Sequence, residues 1–144
     1  MDITVLSRPA IEQKEFHSGD WVISINERVN DEANIRGAGR VLRLYFDDVV
    51  PPTVGAMTED DATSVWQFAN QAKESGRRLW VHCRAGISRS AGVAEALDAA
   101  GIATWENKSE QGYVVGVGWG SRFHPNAHVS ALIKRLAWTY EKGD

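Results

Sequence analysis

Residues Leu79–Leu97 read L-W-V-H-C-R-A-G-I-S-R-S-A-G-V-A-E-A-L. The apolar run Leu79-Trp80-Val81 predicts a short strand, bounded by polar residues on both sides. A small loop, Arg84–Ser88, follows it. From about Ser88 the positions Val93, Ala94, Ala96 and Leu97 predict a helix that Gly101 ends. Cys83, the only cysteine among 144 residues, falls where the strand hands over to the loop. A cysteine that merely fills a core needs no such setting.

Working outward, Ile3–Leu6, Trp21–Ile25 and Val41–Phe46 predict three further strands, short and rich in β-branched or aromatic residues. Thr58 is positioned to cap a long helix reaching about Ser75, with Glu59, Asp60 and Asp61 in its positive first turn and Gly76 at its end. Ala62, Val65, Trp66, Ala69 and Ala72 form its apolar stripe. A last helix follows Pro125-Asn126, with Val129, Leu132, Ile133, Leu136 and Tyr140 on one face. Strands alternating with helices imply an α/β fold, a central mostly parallel sheet flanked by helices, in one domain over 1–144. Trp66, Trp80 and Trp138 fall on elements expected to pack in the core. Thr104–Ser121 is too rich in glycine and valine for a helix, and Gly116–Gly120 reads as a turn or hairpin tip rather than a nucleotide loop.

In such sheets ligands sit beyond the carboxyl ends of the strands. Two predicted strands end there with chemistry attached, one in His82-Cys83 and the other in Asp47-Asp48. Near pH 7 a free thiol is mostly protonated, so a working nucleophile needs its thiolate stabilised. The backbone amides of Arg84, Ala85, Gly86, Ile87 and Ser88 can form an anion nest that runs into a helix N-terminus. Gly86 gives that loop its conformational freedom. Arg89 offers a planar fork for two phosphate oxygens, and the Ser90 hydroxyl can donate to the sulfur. His82, preceding the nest, is expected to fix the loop rather than act as a base. Of the two aspartates, strand alternation places Asp48 on the apolar side with Leu42, Leu44 and Phe46. Partial desolvation there would favour a protonated acid. Asp47, on the side of Arg43 and Tyr45, is the alternative.

H-C-x5-R-S over His82–Ser90 resembles the signature loop of the cysteine-dependent protein tyrosine phosphatase superfamily, with the small loop residues of its dual-specificity branch. L-Y-F-D-D at Leu44–Asp48 is similar to the strand and general-acid loop of compact dual-specificity phosphatases. R-F-H-P-N at Arg122–Asn126, before a helix, is similar to their closing segment. With W-V-I-S-I at Trp21–Ile25, the pattern most resembles small bacterial and phage-encoded members. Thr104–Ser121 departs from it, because the family usually continues in helices there. The resemblance implies a single dual-specificity-phosphatase-like domain that hydrolyses phosphomonoesters. Cys83 would be the nucleophile, Arg89 the phosphate clamp and Asp48 the general acid and base, with His82 and Ser90 in support. No cofactor or metal is implied. The substrate would be a phosphorylated protein or a small phosphomonoester.

Two rivals share this chemistry, a rhodanese-like sulfur transferase and a catalytically weak phosphate-reading module. Gly86, Arg89-Ser90 and a separate upstream aspartate favour the phosphatase over the first. The joint presence of cysteine, arginine and acid favours it over the second. A net charge of -3 provides no basic field for nucleic acid or an anionic membrane. No apolar run approaches the roughly 18–20 residues that span a bilayer. One cysteine allows neither an internal disulfide nor a cysteine-based zinc cage, and His17, His82, His124 and His128 lie scattered. The opening M-D-I-T-V-L-S-R turns polar too soon for a secretory signal. A cytoplasmic protein is expected, and the sequence assigns no oligomeric state.

Overall fold

The structure, a computed structural model, describes residues 1–141, apart from the side chains of Val114, Tyr140 and Glu141. The chain runs β1 (Asp2–Ser7), α1 (Arg8–Gln13), β2 (Asp20–Asn26), β3 (Arg40–Tyr45), α2 (Glu59–Glu74), β4 (Arg78–Cys83) and α3 (Arg89–Ala99). It continues through β5 (Thr104–Trp105), β6 (Gln111–Val114), β7 (Gly118–Ser121) and α4 (Ala127–Glu141). The first five strands form one sheet in the order β3-β2-β4-β1-β5, every pair parallel. β4 is therefore the middle strand, and Cys83 is its last residue. β6 and β7 form a separate antiparallel hairpin.

Alternation along the strands sorts the side chains between two layers. Trp21, Ile23, Ile25, Leu79, Val81 and Cys83 face the layer that α2, α3 and α4 complete with Val65, Phe68, Val93, Leu97 and Ile133. Val22 and Trp80 face the other side, where Ile11, Phe16 and Ala33 cover them. Fully burying one such aliphatic side chain contributes roughly 1.5–3 kcal/mol. The helix expected after Thr58 begins with a capping box, the Thr58 hydroxyl accepting from Asp61 N–H while the Asp61 carboxylate accepts from Thr58 N–H. It is followed by Gly76 in the left-handed region at φ +67°. On α4, Val129, Leu132 and Ile133 are buried and Leu136 packs against them. Tyr140, expected on the same face, has its side chain outside the described residues.

Two short elements, α1 and β5, have no counterpart among the expected strands and helices. At the β5 edge the Asn107 side chain extends the ladder: its Oδ1 accepts from Val5 N–H at 3.1 Å and its Nδ2 donates to the Val5 carbonyl at 2.8 Å. Trp138 does not join the core. It is 62% exposed, because it lies one residue past Ala137 on the helical wheel and so turns about 100° away from the buried stripe. Among the described residues, no helix is long and apolar enough to cross a membrane.

Candidate active site

The loop after β4 is held from behind by its carbonyls. That of Arg84 accepts from Arg8 N–H at 3.0 Å, that of Ile87 from His124 N–H at 2.9 Å, and that of Ser88 from Gly92 and Asn126 N–H at 2.9 and 3.0 Å. The N–H groups of Ala85, Gly86, Ile87 and Ser88 donate to no protein acceptor among the described residues. Oriented backbone amides of this kind make an anion-binding concavity, here next to the α3 N-terminus. Gly86 is essential to the shape: its φ is +66°, and a Cβ there would sit 2.6 Å from the backbone nitrogen of Ser7.

Cys83 lies beneath this loop, 2% exposed, with Sγ 3.1 Å from Ser90 Oγ. Its backbone is fixed by His82. The Cys83 carbonyl can only accept, so the Nδ1 of His82, 3.1 Å away, carries the ring hydrogen. Nε2 must then accept from Ser24 Oγ at 2.7 Å. Ser24 Oγ in turn accepts from Asn26 Nδ2 at 3.1 Å and Arg43 Nη1 at 3.2 Å. Burial drives the His82 pKa down, with the Arg43 and Arg8 charges adding to the effect and the bond to Cys83 opposing it, to about 4. The imidazole is neutral at pH 7 and serves as a brace.

Arg89 is 5% exposed. Its Nη1 donates to the Phe46 carbonyl and its Nη2 to Glu27 Oε1, each at 2.9 Å. Its Nε is buried and bonded to no protein atom among the described residues. That donor is left available to a ligand. Glu27 also accepts from Nε and Nη2 of Arg84, at 3.3 and 3.4 Å. Burial pushes the Glu27 carboxyl up, but the two arginines outweigh it and hold its pKa at about 2. Glu27 was not found by sequence reasoning. The one available signal was its place immediately after β2, at the carboxyl edge of the sheet.

Asp48 and Asp47 diverge. Asp48 Oδ1 accepts from Ser88 Oγ at 2.7 Å and from Asn126 Nδ2 at 2.9 Å, so this carboxylate reaches the anion loop. The Asp47 carboxylate packs against Gly55, and its N–H donates to the Gly55 carbonyl at 2.8 Å. The expected apolar cover over Asp48 is absent, and both aspartates are exposed. β3 ends at Tyr45, so strand alternation no longer applies where the chain turns. Arg43, which shares a strand face with Tyr45, is directed at Ser24 Oγ and the Ala33 carbonyl.

No protein-family model matches the chain, and no curated protein does. Among solved structures it is similar to the crystal structure of human tyrosine phosphatase-like serine/threonine/tyrosine-interacting protein. The TM-score is 0.56 and the identity 18%, over 92% of this chain and 83% of that one. The likeness shows the fold. It is a phosphatase-like α/β fold, and the expected fold class holds. A hollow of about 320 Å³ lies elsewhere, along α2, lined by Trp66, Gln67, Asn70, Gln71 and Glu74. Its lining has neither a thiol nor an arginine.

Proposed function

We propose that the chain is a phosphomonoester hydrolase of the protein-tyrosine or dual-specificity type, acting through a cysteinyl-phosphate on Cys83. The reading is carried by one convergence. A thiol, a nest of unused amides, an arginine with an orphaned Nε and an exposed carboxylate tied to the nest meet at one sheet edge. The motifs around Cys83, Asp48 and Asn126 support the compact dual-specificity branch and its bacterial or phage members. A phosphorylated protein or a small phosphomonoester is the proposed substrate.

In the first step the Cys83 thiolate attacks phosphorus, forming the P–S bond as the P–O ester bond breaks. The leaving oxygen takes the proton of Asp48. The loop amides and Arg89 hold the equatorial oxygens while charge spreads over them. In the second step water attacks phosphorus, Asp48 accepts its proton, and the P–S bond breaks to release inorganic phosphate and the thiolate. Ser90 Oγ, 3.1 Å from the sulfur, stabilises that thiolate as it leaves. Glu27 keeps the Arg89 guanidinium in place through the bond at 2.9 Å.

Turnover of p-nitrophenyl phosphate by the wild type, lost in Cys83→Ser, is the test. A second reading is a phosphate-reading module. The similar solved structure is described as a phosphatase-like, interacting protein, and the Cys83 thiol is deeply buried. Phosphotyrosine-peptide binding without turnover, unaffected by Cys83→Ser, would favour it. Sulfur transfer from thiosulfate would favour the rhodanese-like alternative.

A further inference from the structure

Asn126 has no part in the steps above, yet three segments meet on it. Its Nδ2 donates to Asp48 Oδ1 at 2.9 Å and to the Val49 carbonyl at 3.2 Å. Its Oδ1 accepts from His128 and Val129 N–H at 3.0 and 3.1 Å, capping α4. Its N–H donates to the Ser88 carbonyl at 3.0 Å. The Ser88 hydroxyl donates to the same Asp48 oxygen at 2.7 Å. Asn126 is buried, whereas Asp48 is exposed.

We infer that Asn126 and Ser88 are positioning residues for proton transfer, fixing which oxygen of Asp48 carries the proton. The Asn126 amide N–H can only donate, so Oδ1 accepts from it in either protonation state, and with the Ser88 O–H also donating there Oδ2 is the oxygen left to carry a proton. The acidic hydrogen then resides on Oδ2. In the first step the Oδ2–H bond breaks as the leaving oxygen gains the proton, and in the second Oδ2 takes a proton from water. Because Asn126 also holds α4 and the Ser88 carbonyl, the acid and the anion loop keep one spacing. A spacing error of about 1 Å in such a pair costs on the order of 100-fold in rate. This inference rests on the hydrolase reading.

Asn126→Asp removes the donor and sets a second carboxylate beside Asp48, so Ser88→Ala serves as the uncharged counterpart. The new carboxylate still accepts from His128 and Val129 N–H, so the α4 cap survives, but it cannot donate to Asp48. Ser88→Ala removes the second donor and leaves α4 untouched. Each variant is expected to lower kcat on phenyl phosphate, a poor leaving group, by about 10-fold or more. On 2,4-dinitrophenyl phosphate, which leaves without a proton, each should fall by less than about 3-fold. In an Asp48→Asn background neither should cause a further loss on phenyl phosphate. Equal losses on both esters, or an undiminished loss in the Asp48→Asn background, would overturn the inference. Should Asn126→Asp not fold, the Ser88→Ala pair of measurements decides alone. A wild type that hydrolyses neither ester overturns the hydrolase reading and the inference with it. A wild type that hydrolyses both confines any failure to the inference.

Discussion

The loop Arg84–Ser88 and the hairpin Gln111–Ser121 each follow the carboxyl end of a parallel strand, β4 and β5. The loop is gripped through the carbonyls of Cys83, Arg84, Ile87 and Ser88 by His82, Arg8, His124, Gly92 and Asn126. The hairpin strands pair with each other, and their base is clamped by Arg122 to Glu110, backbone at 2.9 Å and side chain at 2.7 Å. Beyond that clamp Tyr113 and Trp119 meet edge-on at 6.0 Å, and Trp119 is 79% exposed. One excursion is rigid because neighbours on several elements hold its backbone. The other is exposed, and among the described residues its backbone bonds are its own and those of the adjoining Glu110–Arg122 clamp. Chemistry that depends on sub-ångström geometry belongs on the first kind.

The sharpest way to break this contrast is at the sulfur. Cys83→Ser is expected to abolish turnover while phosphate-ester affinity, measured by calorimetry, persists through the nest and Arg89. Loss of binding together with turnover would make Cys83 a shaping residue. Arg89→Lys should be nearly as inactive, because one ammonium cannot match the planar fork. Next in size is the acid. Asp48→Asn should cost roughly 10²–10⁴ in kcat on phenyl phosphate and much less on an activated ester. Asp47→Asn should be mild in the same assay, and the reverse pattern would exchange their roles.

Two glycines compare the regions directly. Gly86→Ala places a Cβ 2.6 Å from backbone, at a left-handed φ, and should destabilise by roughly 2–5 kcal/mol in urea unfolding. Gly116 has φ +84°, and a Cβ added there would meet nothing within 4 Å. Gly116→Ala should therefore cost only the backbone preference, about 1–2 kcal/mol. Equal costs would mean that the loop yields as readily as the hairpin.

His82 tests the bracing from beneath. Its pKa falls from 6.5 to about 4 on folding. Between those values the unfolded chain binds a proton that the folded chain does not, so stability rises with pH across the window and levels off above it. This contribution is fully present above about 6.5 and amounts to about 3 kcal/mol. Urea unfolding at pH 4.5, 5.5 and 7 should show the rise in the wild type and a smaller one in His82→Gln. Parallel profiles would remove His82 as the cause.

The sequence made the strands and long helices legible because their apolar spacing is local. It made the H-C-x5-R-S loop legible because the thiol, the loop amides and the arginine are contiguous. α1 escaped notice because it has six residues and buries only Ile11. β5 escaped because two residues carry no period and its partner β1 lies about a hundred positions earlier in the chain. Glu27 could not be paired with Arg89 from spacing, since 62 residues separate them. The exposure of Asp48 was misread because alternation was carried past the end of β3.

The smallest effect lies on the hairpin. Trp119→Ala should change stability by less than about 1 kcal/mol, the scale of one exposed cross-strand aromatic pair, and leave p-nitrophenyl phosphate turnover unchanged. A large loss in either would mean that the hairpin shapes the loop after all.

The central claim is that phosphate passes through the sulfur of Cys83. Rapid acid quenching during turnover of a ³²P-labelled aryl phosphate, followed by peptide mapping, tests it most directly. The account predicts phosphate bound to the Cys83 peptide in the wild type, accumulating in Asp48→Asn and absent from Cys83→Ser. Steady turnover with no label on that peptide, or label retained in Cys83→Ser, would contradict it.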